Sequence, residues 1–280
     1  MSPRRLRLDA ELVRRGLARS RAQAADLIAD GRVSVAGARA VKPATAVTTD
    51  VALVVADADV PGGEEYVSRG GYKLAGALAA FEPAGLVVSG RRCLDAGAST
   101  GGFTDVLLRH GASEVVAVDV GYGQLAWRLR QDPRVRVHDR TNVRDLDLPL
   151  IGEPVDLVVG DLSFISLTLV LDPLVAVTAD DGDLVLMVKP QFEVGRDRVG
   201  KGGVVRDLGL RAEAVETVAS ASRERGWGAR AVTVSPLPGP SGNVEFFLWL
   251  RRGPAEIDRD AIDEVVSLGP AGAPDERLTE

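Results

Sequence analysis

The sequence predicts an α/β protein: a doubly wound sheet with helices on both faces, preceded by a small α+β module. Three observations predict it. Short apolar runs recur from about Leu86 onward and alternate with helical patterns. One run leads into a glycine-rich loop of small residues, Asp95-Ala96-Gly97-Ala98-Ser99-Thr100-Gly101-Gly102, and a helical pattern follows it. Before all this, about 60 residues carry two short helices and then short strands. A Pro-Gly-Gly stretch, Pro61 to Gly63, sets that module off.

The 280 residues suffice for a full α/β core and a small second domain. Apolar content of 45% is ordinary for a globular protein. No apolar run approaches the roughly 20 residues needed to span a bilayer, and no apolar stretch follows Arg4-Arg5 as in a signal peptide. The single cysteine, Cys93, excludes an internal disulfide and fits a reducing compartment, so a cytoplasmic protein is expected. With His110 and His138 the only histidines, no metal site is expected. Net charge is −6, but its distribution is uneven. Met1 to Lys42 holds ten basic and four acidic residues, for +6, which leaves about −12 on the rest. That asymmetry marks the N-terminal piece as the part facing a polyanion.

Element by element, Leu6 to Arg15 has helical spacing and Gly16 closes it. Ser20 can cap a second helix, Arg21 to Ala29. Val33-Ser34-Val35 alternates as a strand into the Ala36-Gly37 turn, and Val41 and Val51 to Val55 begin further extended pieces. Residues 1–60 thus form one domain, 61–67 a linker, 68–253 the sheet domain and 254–280 an acidic tail with one helix near Ile257 to Leu268. Within the sheet domain, a helix runs from Ser68 or Gly70 to about Phe81. Lys73 lies in its first turns, where the helix dipole disfavours a cation. Leu86-Val87-Val88 with Cys93-Leu94 reads as the first strand, Thr104 to His110 as a helix and Val115 to Val118, closing on Asp119, as the second strand. A helix begins at Gly121 and runs through Arg130, a third strand covers Val135 to His138, and Thr141 to Asp145 sits at its end. Val155 to Gly160 is a fourth strand closing on Asp161, and Leu167 to Val177 is helical. Leu184 to Val188 is a fifth strand ending at Lys189-Pro190. Gly195-x-x-x-x-Gly200-Lys201-Gly202 lacks the Ser/Thr of a P-loop and reads as a loop over the site. Leu210 to Arg225 is a helix, Ala231 to Val234 a strand and Val244 to Leu250 the last strand.

A strand running through a Gly loop into a helix N-terminus brings backbone N–H groups close to a ligand. Asp119, at the end of the second strand, is placed for a ribose hydroxyl pair. The spacing Gly97-x-x-x-Gly101-Gly102 departs from the dinucleotide fingerprint, and Asp95 would repel a pyrophosphate. An acid there suits the ammonium of S-adenosylmethionine instead, so a methyltransferase is favoured over a dehydrogenase. Lys73, Asp161, Lys189 and Glu245 fall where strand ends and the first helix deliver side chains to one pocket. A substrate hydroxyl is a weak acid, and two cations would stabilise its alkoxide while the carboxylates orient them. Lys189 is the candidate for activating that hydroxyl.

Two resemblances add to this reading. Leu8-Asp9-x-x-Leu12-Val13-x-x-Gly16-Leu17-Ala18-x-Ser20-Arg21-x-x-Ala24, continued by Leu27-Ile28-x-x-Gly31-x-Val33-x-Val35-x-Gly37, resembles the S4 RNA-binding domain. It implies that Arg4, Arg19, Arg21 and Lys42 face folded RNA. The K…D…K…E order, within Arg69-x-x-x-Lys73-Leu74, Gly160-Asp161-Leu162-Ser163, Val188-Lys189-Pro190-Gln191 and Asn243-Val244-Glu245-Phe246, resembles the FtsJ-type ribose 2′-O-methyltransferases, whose fold is Rossmann-like. Both together, with Ser235-Pro236-Leu237-Pro238-Gly239-Pro240-Ser241-Gly242-Asn243, resemble the TlyA family to about Arg251. The resemblance implies 2′-O-methylation of cytidine in ribosomal RNA within ribosomal subunits; a monomer is expected. It places Asp95, Gly97, Ser99, Gly101, Gly102, Phe103 and Asp119 around the cofactor, with Asn142 and Val143 near adenine. The same family carries a haemolysin label, so a membrane-active protein is the rival from another class. An RNA-binding S-adenosylmethionine sensor without catalysis is the second.

Overall fold

A computed structural model of the chain describes residues 5–15, 17–18, 20–29, 31–49, 51–55, 66–200, 202–239 and 242–269. The chain divides into two compact units, Met1–Glu65 and Tyr66–Glu280.

In the first unit β1 (Arg5–Arg7) runs straight into α1 (Leu8–Arg14), followed by α2 (Arg21–Ala29), β2 (Val33–Val35), β3 (Ala38–Arg39), β4 (Ala46–Thr48) and β5 (Leu53–Val55). α1 starts later than its apolar spacing suggests because Arg5–Arg7 pairs antiparallel with Ala46–Thr48. β2 pairs antiparallel with β3 and with β5. Leu8, Leu12, Ala24, Ile28, Val33 and Val47 form the core between the helices and these strands. Two buried carboxylates pin the helix pair. Glu11 accepts from Arg14 at 2.6 Å and Arg15 at 2.7 Å, and Asp9 accepts from Arg7 and Arg21, both at 2.9 Å. Hydrogen bonds from Arg7 to Asp9 and from Arg14 to Glu11 hold both carboxyls down at about 2, against the opposing effect of burial.

The second unit opens with α3 (Arg69–Phe81), β6 (Arg92–Ala96), α4 (Gly102–Arg109), β7 (Glu114–Asp119), α5 (Trp127–Arg130) and β8 (Val135–Asp139). It continues with α6 (Leu148–Ile151), β9 (Val155–Gly160), α7 (Leu171–Ala176), β10 (Thr178–Val188) and α8 (Pro190–Glu193). α9 (Leu208–Arg223), β11 (Trp227–Val234), β12 (Phe246–Arg252) and α10 (Arg259–Leu268) complete it. One seven-stranded sheet has the order β11-β12-β10-β9-β6-β7-β8. β10, β9, β6, β7 and β8 are parallel, whereas β12 runs antiparallel to β10 and to β11. The strand order reverses at β6, and the crevice beside its carboxyl end is where such sheets bind ligands. Side chains of period two split the core. Leu94, Val116, Val158, Leu186 and Leu248 pack towards α7, α9 and α10. Cys93, Val115, Val159, Met187 and Phe247 pack under α3 and α4.

Several boundaries differ from the sequence expectation. Leu86 and Val88 are buried, yet they are not strand. Gly90, at φ 77°, turns the chain there and gives its N–H to the Gly111 carbonyl, so β6 starts only at Arg92. The helix expected from Gly121 shrinks to α5, because the Asp119 and Asp139 carboxylates take the Gly121 and Gly123 amides and hold a loop. The last strand starts at Phe246, which leaves Glu245 just before it. Within the expected acidic tail, α10 is capped by the Asp258 side chain and buries Ile262 and Val266 against α9.

Candidate active site

The alternation that splits the core also selects the site. On β6, β7, β9, β10 and β12, the residues in phase with Cys93, Ala117, Val159, Met187 and Phe247 belong to the α3 side. Asp95, Asp119, Asp161, Lys189 and Glu245 share that phase, each within one residue of a strand end. The register aligns them. Ala96 pairs with Gly160, so Asp161 follows directly beside the Gly loop, and its N–H bonds to the Ala96 carbonyl at 3.1 Å. Val188 pairs with Phe246 antiparallel, so Lys189 and Glu245 leave the sheet at the same edge.

Lys73 arrives from above. It occupies the first turns of α3, on the stripe formed by Leu74, Ala77, Leu78 and Phe81, and is buried with them. Its Nζ donates to Glu245 Oε2 at 2.5 Å, and Glu245 is 1% exposed. This answers the unfavourable dipole position, since a buried carboxylate neutralises the ammonium. Lys189 Nζ lies 2.5 Å from Asp161 Oδ1 and donates to Ser163 Oγ at 2.9 Å. Burial alone would raise the Asp161 carboxyl, but the charges of Lys189 and Lys73 outweigh it and hold it below the usual carboxylate range. The four residues therefore form two lysine–carboxylate pairs that sense each other.

The cofactor-loop residues divide by what their atoms do. Asp95 is fully buried, and its Oδ2 accepts from the Thr104 N–H at 2.9 Å and hydroxyl at 2.7 Å, tying β6 to α4. Its Oδ1 is buried without a partner among the described residues. Burial first, with the Asp161 and Asp119 charges added, pushes this carboxyl up to about 7 against the two Thr104 bonds. Gly97 holds φ 86°, and a Cβ there would stand 2.8 Å from the Asp161 carbonyl oxygen. Ser99, itself left-handed at φ 47°, gives its N–H to Asp119 Oδ2 at 2.8 Å. Gly101 is the left-handed residue at the start of α4. Gly102 packs instead of cradling: a Cβ there would lie 2.4 Å from Ser68 Oγ and 2.7 Å from the Gly71 nitrogen. Phe103 and Val143 were expected beside the cofactor, but both side chains lie in the core, Phe103 5.9 Å from the Phe247 ring. Asn142 is exposed and its Oδ1 caps a short 3-10 turn through the Arg144 N–H.

Three residues went unread in the sequence. Ser163 presents its hydroxyl to Lys189. Phe164 is 91% exposed and left-handed at φ 65°, an unusual backbone for a bulky residue, with its ring 5.4 Å from Phe192. Asn243, buried, takes the Val205 N–H and donates to the Gly203 carbonyl, so it ties the 200–205 loop to the segment leading to Glu245. An aromatic beside Ser163 in Asp161-Leu162-Ser163-Phe164 was the one sequence signal available. In the first unit, Arg21 pairs with Asp9 while its side chain stays 59% exposed, and Lys42 is exposed. Arg4 and Arg19 lie outside the described residues.

Two family models match the chain. The FtsJ-like methyltransferase family matches residues 66–252 and the S4 domain matches residues 6–52. The 16S/23S rRNA (cytidine-2′-O)-methyltransferase TlyA of Mycobacterium tuberculosis is 59% identical over 276 residues, covering 95% of this chain and 99% of that one. The chain belongs to the TlyA family of FtsJ-like methyltransferases. Hemolysin A of Brachyspira hyodysenteriae is 38% identical to this chain, over 86% of this chain and 98% of that protein. A solved structure from Streptococcus thermophilus, described as a hemolysin, superposes with a TM-score of 0.73 at 37% identity over 96% of both chains. No helix among the described residues is long and apolar enough to cross a membrane. The cofactor of an FtsJ-like TlyA methyltransferase is S-adenosylmethionine. The residues present fit it: an unpartnered buried carboxylate oxygen on Asp95, the Gly97 cradle and the partly exposed Asp119 carboxylate follow one another around the crevice.

Proposed function

We propose that this protein uses S-adenosylmethionine to methylate cytidine 2′-hydroxyls of ribosomal RNA, acting on RNA within ribosomal subunits, and that Lys73, Asp161, Lys189 and Glu245 carry the transfer. The observation that carries the reading is two lysine–carboxylate contacts at one edge of the sheet, the buried pair Lys73–Glu245 and the pair of buried Lys189 with half-buried Asp161, both 2.5 Å. When bound, S-adenosylmethionine supplies an electrophilic methyl group on a sulfonium. Asp95 would face its ammonium, the Gly97–Gly101 backbone would follow its chain, and Asp119 would take the ribose hydroxyls. Lys189 donates one hydrogen to Ser163 and is ion-paired with Asp161, and an ammonium has three hydrogens, so it can still donate to the 2′-oxygen. There it stabilises the charge that grows on the 2′-oxygen as that oxygen takes the methyl group and the hydroxyl proton passes to solvent water, while Glu245 keeps Lys73 in place as a second cation. Charge stabilisation and positioning suffice for a displacement of this kind. Phe164, exposed beside Ser163, offers a ring face on which a cytosine base drawn out of its helix would stack. The S4-like unit would hold folded RNA through phosphate contacts, with the exposed Arg21 and Lys42 among them.

The test is incubation with labelled S-adenosylmethionine and separately purified, unmodified 30S and 50S subunits, followed by mapping of ribose methylation. Label is expected at a cytidine 2′-O. Lys189→Ala should cut transfer by about 10²–10⁴-fold while leaving cofactor affinity nearly unchanged. Transfer at the wild-type rate by this variant would remove Lys189 from the mechanism.

A further inference from the structure

Glu193 lies outside the set of four, yet it touches the same loop. The segment Lys189 to Glu193 grips the loop Asp161 to Leu167 at three points. At one end Lys189 bonds to Ser163 and pairs with Asp161. In the middle the Phe192 ring rests against Phe164. At the far end Glu193 Oε2 accepts from the Ser166 hydroxyl at 2.5 Å, and its Oε1 accepts from the Leu167 N–H at 2.9 Å. We propose that Glu193 is a positioning residue for methyl transfer, clamping the Ser163–Leu167 loop so that Asp161 and Ser163 stay in register with Lys189. The proposal rests on the functional reading above.

The loop needs such a clamp. Phe164 sits at φ 65°, a left-handed backbone that disfavours a side chain with a Cβ, so a free loop would relax elsewhere. Relaxation would turn Ser163, next to Phe164, away from Lys189. The grip comes from one short helix, α8, whose first residue follows Lys189 directly, so loop and lysine share a single reference frame. A carboxylate supplies two acceptors from one rigid group, and here one goes to a hydroxyl and the other to a backbone amide of the 3-10 turn at Leu167. Burial pushes the Glu193 carboxyl up, opposed by those same two bonds.

The test combines kinetics with amide hydrogen exchange on the full chain. Glu193→Ala should lower kcat by about ten- to hundredfold with S-adenosylmethionine affinity within about twofold of wild type. Glu193→Gln keeps an acceptor for the Leu167 N–H and a polar partner for Ser166, and should restore most of the rate. In Glu193→Ala, exchange should accelerate in peptides covering residues 161–169 and nowhere else. Wild-type kcat in Glu193→Ala, a Gln variant as slow as the Ala variant, or unchanged exchange at 161–169 would each overturn the clamp. If the Ala variant does not fold, Ser166→Ala removes one of the two bonds and should give the same changes at smaller size. Absence of transfer by the wild-type protein would overturn the functional reading, while the exchange arm would still decide whether Glu193 holds the loop.

Discussion

Asp95 is buried at the end of β6 with one oxygen bonded twice to Thr104 and the other without a partner. A group in that position serves the fold and the cofactor at once. Its carboxyl is raised from 3.8 to about 7, so the stability it contributes is present below the unfolded value and is lost as pH rises through 7. An ammonium ligand prefers the ionised form. S-adenosylmethionine affinity should therefore rise with pH towards about 8, with a limiting slope of roughly tenfold per unit below the carboxyl's pKa, as calorimetric titration would record. Asp95→Asn should flatten that rise and bind more weakly. The same variant should melt at a higher temperature at pH 8, because no charge is then buried. At this scale the sequence was informative wherever a charge stood at a strand end. It was uninformative for Phe103, whose place after the Gly loop is equally compatible with a ligand contact and with the core contact it makes to Phe247.

At the scale of elements, α3 and α4 set the distance between Lys73 and the Gly loop. Gly102 lets them meet, since a Cβ would press on Ser68 and the Gly71 backbone. Alanine ordinarily favours a helix over glycine by about 1 kcal/mol. Gly102→Ala should nevertheless destabilise the protein by about 1–3 kcal/mol in urea unfolding, and kcat should fall as Lys73 shifts with its helix. An increase in stability would mean that the helices adjust freely. Most elements were legible because their signals are local. The cap at Asp258 starts a helix inside what composition alone marks as an acidic tail. Elements whose limits depend on distant partners were not. β1 exists because Ala46–Thr48 pairs with it, and the loop before α5 persists because Asp119 and Asp139 claim its amides.

For the whole molecule, the basic N-terminal unit and the larger unit carry separate tasks in the proposed function. Removal of residues 1–60 should lower RNA affinity by about tenfold or more at moderate salt and leave S-adenosylmethionine affinity within about twofold, measured by filter binding and calorimetry. Equal loss of both would mean that the tasks are not separable. The basic excess of the first unit is partly internal, since Asp9 and Glu11 each hold two arginines. By itself the sequence determined the fold class, the alternating elements and the Gly loop, and it singled out the four charged residues of the candidate site, because period-two and helical patterns, turn residues and strand-end charges are written within a few positions of one another. Only the tertiary structure decided that Lys73 meets Glu245 across 172 positions, that Lys189 meets Asp161 and Ser163, and that Glu193 holds the loop between them. Those contacts follow from strand order and register. Register is set by cross-strand hydrogen bonds and by two-sided core packing, and both act between residues that no local pattern connects.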